Sequence, residues 1–147
     1  MITVRESIVI NRKIEEVWDF TQDYNKRPLW DRSVLSANII KPDSPRMVEV
    51  IGRGKWKAVF RYKLERRPFK SSLVMEDVHS KSFAGGGGSW EYESVYGMTR
   101  WVQTNTLLLK PGIVSRIFKP LIERAFRRQT IRAMRRAKLA MEDKSRR

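Results

Sequence analysis

The chain has 147 residues, enough for one domain with a buried core, and 41% of them are hydrophobic, which excludes a disordered chain. It contains no cysteine, which excludes disulfide frameworks and thiolate chemistry, and it has a single histidine. No apolar run is long enough to cross a membrane. The formal net charge of +15 points instead to an anionic partner (nucleic acid, anionic lipid or an acidic protein) or to a solvated basic surface.

The first half of the chain predicts a strand, a helix and two further strands. Residues 3–10 alternate loosely between apolar and polar side chains, as in a strand. Asn11 is a good N-cap, and helical spacing of apolar residues then predicts a helix over 12–22. A short helix or turn at 24–31 contains Pro28. Strands are predicted at 34–40 and 47–51, joined by a proline-containing turn at 41–45.

The second half predicts four strands. Residues 55–65 alternate most regularly, with Trp56, Ala58, Phe60, Tyr62 and Leu64 on one face. Further strands are predicted at 72–78, 89–96 and 98–109. The four glycines at 85–88 lack the lysine and the following helix of a phosphate-binding loop, so they predict a flexible loop or bulge.

A long helix is predicted over residues 120–143, beginning at Pro120, and its two faces differ in chemistry. One face is small and apolar, which suits packing on a sheet: Ile122, Phe126, Thr130, Ala133, Met134, Ala137, Ala140 and Met141. The other face is basic: Arg124, Arg127, Arg128, Arg132, Arg135 and Lys138. From residue 116 onward, 12 Lys and Arg residues stand against three acidic residues, so the positive charge is concentrated here.

The order of elements predicts a single α+β domain over residues 1–147, with an antiparallel sheet of six to seven strands curved around the long C-terminal helix. This order resembles the helix-grip fold of the START-like (SRPBCC) superfamily, which includes polyketide cyclase-like and lipid-transfer proteins. The stretches that resemble it are residues 14–18, Asp23, Trp30, Pro68, residues 97–101 and the alanine-rich helix that ends at Glu142. The resemblance implies a hydrophobic cavity between the sheet and the terminal helix.

Ten side chains are predicted to line that cavity: Phe60, Tyr62, Trp90, Tyr92, Ser94, Trp101, Gln103, Asn105, Phe126 and Met134. The amides Gln103 and Asn105 stand where members of the superfamily commonly carry apolar residues. A buried amide without a partner costs about 1–3 kcal/mol. We therefore expect Gln103 and Asn105 to bond to a ligand, or to a neighbouring strand's side chain or trapped water in an internal hydrogen-bond network or an open, wet cavity.

No catalytic residue, metal site or cofactor is predicted. His79 is alone, lacks a Ser-His-Asp context and lies at a strand end, where exposure is expected. Paired carboxylates such as Glu15 and Glu16 fit a solvated surface. The favoured function is binding or carriage of a lipid-like or polycyclic small molecule. A polyketide cyclase or aromatase activity is the alternative, and a basic nucleic-acid module is a third.

The basic helix face is the remaining signal. Arg127, Arg128, Arg132 and Arg135, with the apolar Ile131 and Leu139 among them, resemble a helix that lies on an anionic membrane. Simple solvation of the charged face is the other reading. The chain also lacks a signal-peptide pattern. We therefore expect a cytoplasmic protein, with peripheral membrane attachment as an open alternative and its oligomeric state undetermined.

Overall fold

The structure is a computed structural model that describes residues 1–43 and 45–143. In this part of the chain the elements are, in order, β1 (Ile2–Ile10), α1 (Ile14–Gln22), α2 (Arg27–Trp30), β2 (Val34–Lys41), β3 (Arg46–Gly52), β4 (Trp56–Arg66), β5 (Phe69–His79), β6 (Phe83–Val95), β7 (Met98–Leu109) and α3 (Ile113–Glu142). The predicted turn at 41–45 includes Ser44, which lies outside the described residues.

The seven strands form one curved antiparallel sheet in the order β1-β7-β6-β5-β4-β3-β2. Consecutive strands from β2 to β7 are neighbours, as expected when short turns join them. β1 pairs with β7, with Ile10 opposite Thr99 and Ile2 opposite Leu107. The predicted α+β class and the sheet curved around a long C-terminal helix are thereby confirmed.

The first helix begins two residues later than predicted, and Asn11 is not its cap. Lys13 occupies the N-cap position and makes no capping hydrogen bond with its side chain. The Asn11 backbone N–H instead donates to Glu142 Oε1 at 3.3 Å, so this residue connects the end of β1 to the end of α3.

The last helix begins at Ile113, seven residues before the predicted start, and Pro120 lies inside it. A proline removes the N–H that would bond to the carbonyl four residues earlier, here that of Arg116. Residues 113–121 are mostly exposed, so water can satisfy this carbonyl. The cost of an internal proline is therefore reduced at this position.

The glycine run is part of a strand, so the prediction of a flexible loop is wrong. Gly87 and Gly88 pair with Val74 and Leu73 of β5 on one side and with β7 on the other. A Cβ on Gly87 would lie 2.5 Å from the Leu73 carbonyl oxygen. Glycine is therefore required because neighbouring backbones approach closely in the curved sheet. The predicted bulge has a counterpart in a register shift between Phe83 and Gly85.

Two clusters of buried side chains fill the space on the inner face of the sheet. The first joins α3 to α1, α2 and the β6–β7 pair: Ile10, Val17, Trp18, Trp30, Trp90, Tyr92, Trp101, Ala133, Met134, Ala137 and Met141. The second lies over β3 and β4: Tyr24, Val34, Val48, Val50, Ala58, Phe60 and Tyr62. The buried part of α3 is the predicted apolar face from Thr130 to Met141.

Candidate functional site: an apolar cavity with polar groups in its wall

A cavity of about 200 Å³ lies where the two clusters meet. Its wall combines Trp30, Trp90 and Ala133 of the first cluster with Val34 and Phe60 of the second. The remaining wall residues come from α2, the adjoining strands and α3: Arg27, Asp31, Ser33, Trp56, Leu73, Met75, Phe83, Gly87, Gln103, Asn105, Leu107, Phe126, Gln129 and Thr130. Most of this wall is apolar, and its polar groups come mainly from α2, β7 and α3.

Five of the ten residues predicted for the cavity line it, namely Phe60, Trp90, Gln103, Asn105 and Phe126. Four others are buried but are not part of the wall. Trp101, Tyr92 and Met134 belong to the first cluster and Tyr62 to the second, where contacts with other side chains occupy them. Alternation along a strand predicts the face but not the distance from the cavity.

Ser94 requires a correction, because it is exposed and does not line the cavity. It pairs with Thr99 near the end of the β6–β7 hairpin, two residues before the turn at Tyr96 and Gly97. Tyr92 is the last buried residue of β6. The alternation that places Trp90 and Tyr92 inside therefore stops predicting burial at Ser94.

The two amides form a chain of hydrogen bonds with an indole. Trp90 Nε1 donates to Asn105 Oδ1 at 3.2 Å, and Asn105 Nδ2 donates to Gln103 Oε1 at 2.8 Å. These bonds satisfy most of the polar atoms, as the internal-network alternative expects. Gln103 Nε2 is the exception, since it is buried and has no partner in the structure.

A buried ion pair beside the cavity was missed by sequence reasoning. Arg27 Nε donates to Asp31 Oδ2 at 2.8 Å, and both side chains are less than a tenth exposed. The guanidinium lies 4.7 Å from the ring centroids of both Trp30 and Trp90. The only signal in the sequence is the i, i+4 spacing of opposite charges in a segment of high aromatic content.

Electrostatics keep this pair ionised despite its burial. Burial by itself raises the pKa of Asp31, but the neighbouring Arg27 charge and hydrogen bonds from Ser33 outweigh it and hold the pKa below its usual value. Burial lowers the pKa of Arg27, and the Asp31 carboxylate more than compensates. Gln129 Nε2 of α3 also donates to Asp31 Oδ1 at 2.7 Å, which links α3 to α2.

Two interior tyrosines, Tyr24 and Tyr92, do not line the cavity and remain protonated. Burial raises the pKa of Tyr24 to about 12 and raises that of Tyr92 as well. The Tyr92 hydroxyl shares a hydrogen bond with the Thr21 hydroxyl at 2.6 Å and accepts one from Gln22 Nε2. Neither tyrosine lines the cavity, so neither is placed to transfer a proton to a molecule bound there.

The predicted basic surface is only partly free. Arg127 Nη1 donates to Glu6 Oε1 of β1 at 2.6 Å, which makes this arginine part of the contact between α3 and the sheet. Arg128, Arg132 and Arg135 are exposed. Lys138 donates to the Val9 carbonyl and to Glu142. Arg127 and Lys138 therefore do not belong to the part of the basic face that is available to a partner.

His79 is not part of the cavity wall. It is exposed at the end of β5. Among the described helices, none has both the length and the apolar character that a membrane crossing requires.

Residues 1–142 match a family described as "Polyketide cyclase / dehydrase and lipid transport". A search of curated protein sequences finds no match.

Three solved structures have the same fold as this chain. A protein of Thermus thermophilus has a TM-score of 0.83 and 14% identity, covering 95% of this chain and 96% of its own. The Zhui aromatase/cyclase from a Streptomyces species has a TM-score of 0.82 and 11% identity, covering 98% and 95%. A START superfamily protein from Mycobacterium smegmatis has a TM-score of 0.72 and 11% identity, covering 92% of each chain. At such identities the likeness concerns the fold alone.

Proposed function

Because the chain belongs to the polyketide cyclase/dehydrase and lipid transport family, we propose that it binds and carries a hydrophobic small molecule in the cavity between the sheet and α3. The observation that carries this proposal is the largely apolar cavity of about 200 Å³, left open between two otherwise closely packed aromatic clusters. Protein interiors are normally close-packed, so a void of this size is costly unless a molecule fills it.

The size of the cavity favours a compact ligand. Pockets for drug-sized molecules measure roughly 300–1,000 Å³, and this cavity is smaller. A molecule of two or three fused rings, or part of an acyl chain, fits such a volume better than a whole phospholipid. Within the sequence-based expectation of a lipid-like or polycyclic ligand, the polycyclic class is therefore the better supported.

A carrier role is favoured over catalysis by the chemistry of the wall. The titratable side chains that line the cavity are Arg27 and Asp31, and each has the other as its ion-pair partner. Asp31 is also held ionised by its hydrogen bonds, so it is a weak base. A general acid or base needs a pKa near the working pH, and no described residue of the wall offers one.

The cyclase alternative rests on the shared fold with aromatase/cyclases and on the polar groups beside the aromatic wall. Such an enzyme would act by holding a flexible chain in a reactive shape. Incubation with a polyketide-like substrate distinguishes the two functions. A carrier gives stoichiometric binding, whereas turnover that disappears on substituting Gln103 would establish the enzyme.

A matched pair of leucines tests the cavity itself. Leu107 lines the cavity, whereas its neighbour Leu108 is 48% exposed on the other face of β7. Leu107→Trp should fill the cavity and abolish binding of an apolar fluorophore, while Leu108→Trp should leave it unchanged. Native mass spectrometry of the purified protein should reveal a co-purified ligand that Leu107→Trp lacks. Equal binding by both variants would contradict the proposal.

We further propose that α3 docks this carrier onto an anionic membrane. The segment 113–121 exposes five large apolar side chains: Ile113, Val114, Ile117, Phe118 and Leu121, which are between 46% and 76% exposed. At ~100° per residue they share one side of the helix with Arg124, Arg128, Arg132 and Arg135. The outward face of α3 therefore has an apolar N-terminal end followed by a basic stripe. An apolar end can enter the lipid while the arginines contact acidic headgroups.

The position of this apolar end suits the exchange of a ligand with a membrane. Lys110 N donates to the Ser82 carbonyl at 3.0 Å, which ties the start of α3 to the start of β6. Phe83, the first residue of β6, lines the cavity, and so does Leu107 near the end of β7. The exposed apolar segment thus begins at the end of the sheet where these two wall residues lie.

Vesicle sedimentation tests the docking surface. Vesicles that contain phosphatidylglycerol should bind the protein and pure phosphatidylcholine vesicles should not, because each basic residue near an anionic surface contributes about 1 kcal/mol. Phe118→Ser with Leu121→Ser should weaken binding, and so should replacement of Arg128, Arg132 and Arg135 by Gln. Val74→Ser, at an apolar position of β5 that is 59% exposed, is the control. Binding that depends on the arginines alone, or that nucleic acid competes away, would refute lipid insertion.

A further inference from the structure

The cavity wall presents hydrogen-bond donors that the protein does not satisfy. Arg27 Nη1, Trp30 Nε1 and Gln103 Nε2 are buried and have no partner, and all three residues line the cavity. The three residues are 7%, 1% and 3% exposed, so bulk water does not reach these donors. A buried donor without an acceptor costs about 1–3 kcal/mol. Three of them at one cavity need a common explanation.

The three donors belong to one connected group of side chains. The Arg27 guanidinium lies 4.7 Å from the ring centroids of Trp30 and Trp90, and these two rings are 5.8 Å apart. Trp90 is paired across the β6–β7 ladder with Gln103. It also begins the hydrogen-bond chain through Asn105 to Gln103. The unsatisfied N–H groups are therefore concentrated around Trp90.

The direction of the Gln103 amide follows from the chemistry of its neighbours. An indole N–H can only donate, so the Asn105 atom that Trp90 contacts must be the oxygen. The nitrogen of Asn105 then faces Gln103 and needs an oxygen there. This leaves the Gln103 nitrogen without a partner, and the same argument excludes the flipped amide. The free atom of Gln103 is a donor in the only consistent arrangement.

The buried side-chain oxygen atoms of this wall already take part in hydrogen bonds within the protein. The Asp31 carboxylate accepts hydrogen bonds from Arg27, from the backbone and hydroxyl of Ser33, and from Gln129. The Thr130 hydroxyl donates to the Phe126 carbonyl. Among the described residues of the wall, each buried side-chain polar atom without a partner is an N–H group. Asp31 also offsets the charge of Arg27.

We propose that the ligand of this cavity carries a carbonyl oxygen, which accepts hydrogen bonds from the donor group formed by Arg27, Trp30 and Gln103. This inference rests on the proposed binding function and specifies its ligand class as a polycyclic or acyl ketone, ester or amide. A neutral acceptor is preferred to a carboxylate because the Arg27 charge already has its counterion. A pure hydrocarbon of the same shape would leave all three donors unsatisfied.

A pair of two-ring probes tests this inference. 1-Tetralone and tetralin have the same ring skeleton, but only the former has a carbonyl group. Titration calorimetry should give a dissociation constant about tenfold lower for 1-tetralone, as expected for one or two net hydrogen bonds. In ¹⁵N-labelled protein, the indole N–H resonance of Trp30 should move downfield with 1-tetralone and not with tetralin. Trp30→Phe identifies that resonance.

Gln103→Glu is the decisive variant, because it keeps an oxygen for Asn105 Nδ2 and replaces the free N–H by an acceptor. It should lose most of the preference for 1-tetralone while still binding tetralin. Leu107→Met, which changes the same wall without changing its hydrogen bonding, should keep the preference. Equal affinity of the two probes for the native protein would overturn the carbonyl inference and leave the binding function intact. Failure of both probes to bind would contradict the carbonyl inference and the proposed binding function together.

Discussion

Asp31 shows how one buried carboxylate organises the site. It accepts four hydrogen bonds through its side chain, and through them it connects α2, the segment before β2 and α3. Its partner Arg27 has two aromatic rings within 4.7 Å and cannot reach water when the carboxylate is removed. The pair therefore contributes less through its own attraction than through the cost of leaving either charge alone.

We predict that Asp31→Asn lowers the free energy of unfolding by about 3–5 kcal/mol at neutral pH, because it leaves the buried Arg27 cation unpaired. Urea unfolding measures this loss. Asp23→Asn is the control, since the Asp23–Lys26 pair is largely exposed and 4.0 Å long, and should change the value by at most about 1 kcal/mol. A loss for Asp31→Asn no larger than for the control would contradict the assigned role.

The same carboxylate predicts an acid dependence of stability. The pKa of Asp31 is lowered in the folded protein, whereas an aspartate in the unfolded chain titrates near pH ~3.9. The unfolded chain therefore takes up a proton first, so the stabilisation is fully present above pH ~4 and is lost as pH falls through the folded pKa. Asp31→Asn should show a shallower decrease in the unfolding free energy as pH falls below about 4.

At the scale of elements, β6 is the strand most constrained by its neighbours. It pairs with strands on both sides at Gly87 and Gly88, and Gly87 also forms part of the cavity wall. Side chains at Gly86, Gly87 and Gly88 would collide with neighbouring backbone, and one at Gly87 would also reduce the cavity. The run therefore allows a central strand to bend while leaving space for a ligand.

Two positions in the glycine run provide a matched test. A Cβ on Gly87 would lie 2.5 Å from the Leu73 carbonyl oxygen, whereas one on Gly85 would meet only a leucine methyl group at 3.9 Å. Gly87→Ala should lower the free energy of unfolding by about 1–3 kcal/mol, and Gly85→Ala should change it by less than about 0.5 kcal/mol. Thermal unfolding followed by circular dichroism checks both. Similar losses would mean that the strand adjusts to either side chain.

At the scale of the whole molecule, the sheet and the packed face of α3 could be predicted because their patterns are local. Alternation in residues 55–65 and helical spacing from Thr130 to Met141 report which side is buried. The start of α3 and the strand pairing of Gly87 could not, since both depend on which neighbours are present or absent. The Arg27–Asp31 pair was missed because its burial arises from the packing of α2 under α3, which leaves no local periodicity.

The wall of the cavity contains residues of both core clusters. A ligand there would contact both clusters and should stabilise the fold as a unit. At a free concentration of about 100 times its dissociation constant, a ligand that binds only the folded state adds ~2.7 kcal/mol. For a chain of this size, each kcal/mol raises the melting temperature by about 2–4 °C.

We therefore predict that 1-tetralone at that concentration raises the melting temperature by about 5–10 °C in differential scanning calorimetry. Leu107→Trp, which should fill the cavity, should show no increase, and Leu108→Trp should show the native increase because its side chain lies on the opposite face of β7. The same increase in all three proteins would place the ligand outside the cavity. The comparison thus separates binding between the clusters from binding to the exposed apolar end of α3, which none of these variants alters.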